Sequence, residues 1–206
     1  MIFWFQKGGI IMYPILLCSI IALAIFIERL WQLHMAQINT EKFMNEISAM
    51  LRRNRIKEAI DTCNRTRGPV ANILKAGILK HDRSRAEIRE AIEDAGGYEV
   101  PELEKNISAL ATIAHVSPLL GLLGTVTGMV RAFQVIQEKT TAATPVSPGD
   151  LAGGIWEALI TTVAGLVVAI PTIIVYNYLV SRVEAIVLDM ERSSTELVNI
   201  LTQGRS

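Results

Sequence analysis

The sequence predicts an all-α integral membrane protein with three transmembrane helices. The second and third are expected to be long and to run on into a helical cytoplasmic domain. Three observations predict this. Half of the 206 residues are hydrophobic and the mean hydropathy is +0.35, which is unusual for a soluble domain. Three long runs carry no charge: twenty residues between Lys7 and Glu28, twenty-five between Lys105 and Arg131, and twenty-four between Glu157 and Arg182. A bilayer core about 30 Å thick needs about 20 apolar helical residues, so each run is long enough. Third, twenty basic and twenty acidic residues cancel, which argues against nucleic acid as the main partner.

Residues 1–8 are expected as a short N-terminus and 9–31 as the first span. That apolar run is longer than a signal peptide's core, and Glu28-Arg29-Leu30-Trp31 follows it where small residues would mark a cleavage site. An uncleaved anchor is therefore expected. Segment 32–106 is a polar helical domain. Its Phe43, Ile47, Met50 and Leu51 share one helical face. Gly68-Pro69 breaks the pattern, and Val70, Ile73, Leu74 and Leu79 restart it. Ser84 and Glu87 have the spacing of a capping box. Gly96–Pro101 is expected to interrupt the chain, after which Glu102 onward runs without a break into the second span, 107–135. A connector, 136–150, leads to the third span, 151–180. The tail, 181–206, continues it as an amphipathic helix, with Val183, Val187, Met190, Leu197 and Leu201 recurring on one side.

Thirteen Lys/Arg lie in 32–106, whereas only Lys139 lies in the connector. The positive-inside rule then puts 32–106 and the C-terminus in the cytoplasm, and the N-terminus and connector in the periplasm. Arg131, near the outer end of the second span, speaks against this. Cys18 and Cys63 sit in unlike surroundings and are expected as free thiols, with no disulfide or metal role. The charges of 32–106 read as solvated helix faces without a catalytic cluster.

The second and third spans hold the informative residues. Ala114, Ser117, Gly121, Thr125, Gly128 and Ala132 form one stripe of small residues, with Gly124 and Gly128 four apart. Gly154, Ala158, Thr162, Gly165 and Ala169 form another. Small residues let helix backbones approach closely in lipid, where packing takes the place of the hydrophobic effect. "PLLGLLGTVTG" lacks the Lys-Ser/Thr ending of a phosphate loop and lies in an apolar span, so no nucleotide is expected.

Glu157 lies about 10 Å inside a helix starting at Leu151. Insertion scales place the cost of such a charge at about 2.5–3.5 kcal/mol. It either faces an ion path, or reaches water near the interface or pairs with Arg131. Thr161 lies one turn along on Glu157's face, with no motif to assign it. Thr125 can bond its own backbone. Two threonines at similar depth on two small stripes instead suggest a shared polar lining. His115, near the inner end of the second span, is expected to pack at an interface or helix contact rather than relay protons. Pro118 and Pro171 are expected to kink their helices. No nucleophile and base share a depth layer, so no enzyme is expected.

"HVSPLLGLLGTVTGMVRAFQ" (115–134) and "GGIWEALITTVAGLVVAIPTIIVYNYL" (153–179) resemble the ExbB/TolQ/MotA proton-channel family. The three-span plan with a large loop after the first span resembles ExbB and TolQ more than the four-span MotA. The resemblance implies a pentameric subunit of the bacterial inner membrane, whose second and third spans line a pore. It implies an ExbD-like or TolR-like single-span partner in that pore, carrying an essential aspartate. Protons, with no other cofactor, are the coupling ion, and work passes to a TonB-like periplasm-spanning protein. By motif position Thr125 and Thr162 match the family's pore threonines, and Glu157 its third-span glutamate. The residues alone leave open a non-conducting helical scaffold, a TolQ-like role and sodium coupling.

Overall fold

A computed structural model describes residues 8–142, 145 and 147–203. Its regular elements are all helices: α1 (Met12–Ala36), α2 (Thr40–Arg52), α3 (Ile56–Arg65), α4 (Pro69–Leu79), α5 (Arg85–Glu104), α6 (Ile107–Thr141) and α7 (Pro148–Gln203). No strand occurs among the described residues. Three helical stretches are long and apolar enough to cross a membrane; they contain the second and third expected spans whole and the first from Met12 onward. The helices outrun the apolar runs. α1 continues past residue 31 to Ala36, α6 past 135 to Thr141, and α7 begins at Pro148 and passes through 180 to Gln203. The connector is correspondingly shorter than 136–150. The N-terminus, apart from Gly8, lies outside the described residues.

The chain divides into two compact units. The first comprises residues up to 27 together with 106–177: most of α1, all of α6 and the first part of α7. Its exposed surface is rich in large apolar side chains, among them Leu17, Ile20, Leu122, Val126, Val167 and Ile174. Helix interiors satisfy their own backbone groups, so such a surface suits lipid or another helix. Pro118 and Pro171 lie inside continuous helices. Beside Pro171, the Thr172 hydroxyl donates to the Val168 carbonyl at 2.7 Å.

The second unit, 28–105 with 178–206, is built from the end of α1, α2 to α5 and the end of α7. Its core includes Ile47, Leu74, Ile78, Ile88, Leu179 and Leu197. The tail packs as the periodicity predicts. A Cβ on Gly77 would stand 2.8 Å from both Ile92 and Leu197, so α4, α5 and α7 meet where only glycine fits. Thr40 Oγ1 donates to Asp189 (3.2 Å) and Arg85 Nη2 to Asn199 (3.2 Å), fixing α2 and α5 to the tail. Cys63 is buried here. Desolvation pushes its thiol up to about 11 against a small opposing pull from Lys75, so it stays protonated and inert.

Several local expectations hold. Gly68 adopts φ 127° ahead of Pro69, the first residue of α4. Ser84 and Glu87 form the reciprocal capping box. Others do not. Leu79 is exposed and Ile78 takes the buried position, because α4 ends there and its last residue turns outward. Gly96–Pro101 does not interrupt α5. Neither Gly96 nor Gly97 meets a neighbour, and Pro101 presses only on the carbonyl of Gly97, a residue free to tilt it. The break falls instead at Lys105–Asn106, where an unbroken helix was expected. Asn106 has φ 60°, the left-handed region that asparagine enters more readily than most residues.

Candidate functional site

The first unit is organised by an antiparallel seam between α6 and α7. A Cβ on Gly165 would stand 2.5 Å from the Ser117 carbonyl oxygen. One on Gly121 would stand 3.0 Å from backbone of Thr161 and Thr162, and one on Gly128 2.7 Å from the Gly154 carbonyl oxygen. A Cβ on Gly124 would overlap the side chain of Thr161. The two small-residue stripes therefore face each other, and Gly154, Ala158 and Gly165 lie on the contact.

The structure shifts which residues fill it. Gly124, rather than Thr125, takes the buried place on α6, and Thr125 sits half-buried at the rim. Thr161, left unassigned by its sequence position, is fully buried and lodged against Gly124. Its hydroxyl donates to Ala158 O (2.9 Å) and Glu157 O (3.1 Å). Thr162 is half-buried, and its hydroxyl reaches across the seam to Gly121 O (3.2 Å) and back to Ala158 O (3.4 Å). Thr125 donates to Leu122 O at 2.6 Å, within its own helix. Thr162 bonds at Gly121, four residues before Thr125, so the two threonines lie about one turn, roughly 6 Å, apart along the seam. Each hydroxyl proton is committed to a carbonyl. Each oxygen keeps lone pairs that can accept from a protonated acid without adding charge.

Toward the connector, Glu157 of α7 forms an ion pair with Arg131 of α6. The Glu157 side chain is 15% exposed and that of Arg131 52%. Pairing with Arg131 was one of the two readings open to Glu157. Sequence reasoning missed what covers this pair. Gly9, at φ 66°, approaches so closely that a Cβ there would overlap Glu157 Oε1 and stand 3.3 Å from Arg131 Nη1. Two adjacent glycines before an apolar run were the available signal. His115 is exposed, with Nδ1 2.6 Å from Ala111 O on its own helix. It is away from the α6–α7 seam and sixteen residues from Arg131, about 24 Å along the helix. Pro118 lies one residue past Ser117, whose buried hydroxyl finds no partner among the described residues. An orphaned buried hydroxyl costs about 1–3 kcal/mol. No group of His, Cys, Asp and Glu able to hold a metal occurs among the described residues.

Comparison with known proteins gives this geometry a context. A family model for the MotA/TolQ/ExbB proton channels matches residues 65–192, which include all of α6 and most of α7. A Synechocystis biopolymer transport protein named ExbB-like 3 is 35% identical over 178 residues, covering 84% of this chain and 81% of that one. The Pseudomonas putida biopolymer transport protein ExbB is 28% identical over 205 residues, covering 94% of this chain and 60% of that one. The Tol-Pal system protein TolQ of Haemophilus influenzae is 40% identical over 111 residues, 54% of this chain and 47% of that one. With a family match over more than half its length and a relative 35% identical over 84% of this chain and 81% of its own, the chain belongs to the MotA/TolQ/ExbB proton channel family, within which it is most like ExbB.

Proposed function

We propose that this chain is an inner-membrane subunit of an ion-driven motor, which works with an ExbD-like partner to energise TonB-dependent transport across the outer membrane. The observation that carries this reading is the pair Thr125 and Thr162, half-buried and within about one turn of each other on a close-packed helix pair. A partner carboxyl that gains and loses a proton needs neighbours that can accept or donate a hydrogen bond and carry no charge of their own. Threonine meets that need. The second and third spans hold one carboxylate, Glu157, already paired with Arg131, so a titrating group between them has to come from elsewhere. A single-span partner with an aspartate supplies it. Five copies around that partner, protons as the coupling ion, and a cytoplasmic 32–106 and C-terminus complete the reading. They are supported by the family resemblance and the distribution of basic residues.

The test is to express Thr125→Ala, Thr162→Ala and Glu157→Ala each with the partner. Gradient-dependent uptake is expected to fall at least tenfold in each at normal complex levels, about 1.4 kcal/mol or more of lost coupling. Unchanged uptake in all three would leave the chain as a non-conducting scaffold. A Tol-Pal role is the second reading, favoured by the TolQ relative at 40% identity. Deletion separates them: poor growth on a scarce iron chelate supports the first, and detergent sensitivity with normal iron growth the second.

A further inference from the structure

We propose that Arg131, Glu157 and the Gly8–Gly9 turn form a latch that stores the Glu157 carboxylate out of reach and releases it when the turn lifts. Its meaning for ion coupling rests on the function proposed above. All three elements of the first unit meet at this carboxylate: α6 through Arg131, α7 through Glu157 itself, and the lead-in to α1 through Gly9. The turn is shaped for the contact. Gly9 has φ 66°, a conformation that L side chains rarely adopt, and any side chain there would displace Glu157 or Arg131. Gly8 is buried, and a Cβ on it would overlap Met12 and stand 3.3 Å from Ile160 of α7. Two glycines in succession thus bring bare backbone onto the ion pair. The Gly9 carbonyl accepts from the Met12 amide at 3.3 Å, joining the turn to the start of α1.

Among the described residues, the charges around Glu157 are few. Arg131 faces it from α6. The described lead-in to α1 contributes glycines and Met12, and the residues one turn away on α7, Gly153 and Thr161, are uncharged. Arg131 is therefore the described cation in contact with the carboxylate, and Gly9 is the backbone that covers it. For the carboxyl group to be reached, the guanidinium, the cover, or both have to move away. Arg131 acts through Glu157 and is a positioning residue. Its exposed side chain leaves room to swing aside, whereas the carboxylate beneath is mostly covered.

Labelling by dicyclohexylcarbodiimide, which modifies protonated carboxyls in apolar surroundings, reads this state without any transport assay. In membranes holding the full chain with its partner, the peptide bearing Glu157 is quantified by mass. Wild-type protein is expected to label slowly. Arg131→Gln is expected to label at least about fivefold faster, the factor that an ion pair worth 1 kcal/mol represents. Arg131→Lys keeps the charge and is expected to stay near the wild-type rate, while Arg131→Met keeps most of the length without the charge and is expected to label like Arg131→Gln, which a purely steric role for Arg131 would not produce. Gly9→Ala is expected to label faster through loss of the cover. Should that variant fail to accumulate, the Gln and Lys variants decide alone. Equal labelling of wild type and Arg131→Gln overturns the latch. So does a Gly9→Ala chain present at normal level and labelled at the wild-type rate. A chain that labels as expected but drives no uptake keeps the latch and loses the proposed function.

Discussion

At Gly124 a hydrogen atom, as the whole side chain, sets the distance between α6 and α7. A Cβ there would overlap both the hydroxyl and the Cβ of Thr161. Gly124→Ala is expected to destabilise the purified complex by about 1–3 kcal/mol through overpacking, seen as a lowered melting temperature. Adding Thr161→Ala is expected to recover little, because the Cβ of residue 161 is itself in the way. Adding Thr161→Gly is expected to recover more. An equal recovery by the two would show that the hydroxyl alone sets the spacing. Residues at this scale were only partly legible in the sequence. The stripes were visible as small residues at three- and four-residue intervals. Thr161 and Thr162 are neighbours about 100° apart on the helix, and either could have been the buried one. The choice depends on where Gly124 sits across the seam, and no pattern within α7 encodes that.

At the scale of an element, ends were legible where a side chain caps them. Ser84 Oγ accepts from the Glu87 amide at 3.3 Å, and the Glu87 carboxylate accepts from the Ser84 amide at 3.0 Å. Ser84→Ala is expected to cost about 1 kcal/mol, read as faster hydrogen exchange in the first turn of α5. The hydrogen bonds from Ser84 hold the Glu87 carboxyl below its usual range. A group lowered on folding stabilises at pH above its unfolded value, and that contribution is lost as pH falls through the folded value. The first turn of α5 is therefore expected to fray in acid, below the ordinary carboxylate range, and to be unaffected between neutral and mildly alkaline pH. The ends that depend on backbone alone were not legible. Gly96, Gly97 and Pro101 read as breakers, yet no neighbour forces a turn there. Lys105–Asn106 reads as ordinary helix, yet the chain leaves the helical region at both residues. A left-handed asparagine ends one run of helical backbone before the next begins, and the periodicity of either helix does not record it.

For the molecule as a whole, the three uncharged runs carried nearly all of the fold class, because length and apolarity are properties of each segment taken singly. Sidedness depends on a comparison between segments and can be measured directly. In a chain lacking Cys18 and Cys63, a membrane-impermeant maleimide applied to spheroplasts is expected to label Glu138→Cys and to spare Asp82→Cys until the cells are opened. The reverse pattern would invert the topology. The tightness of the α6–α7 seam has a consequence at this scale. Backbone meets backbone from Ser117 and Gly165 to Gly128 and Gly154, with no gap wide enough for a side-chain methyl. A file of water molecules needs more room than that. The seam is a dry wall rather than a duct, and a lone copy of this chain has nowhere between these two helices to hold hydrated ions. Any aqueous thread has to run along an outer face of the wall, past the rim where Thr125 is half open. Permeability then depends on what assembles against that face, and a single copy reconstituted apart from other copies should leave the membrane sealed.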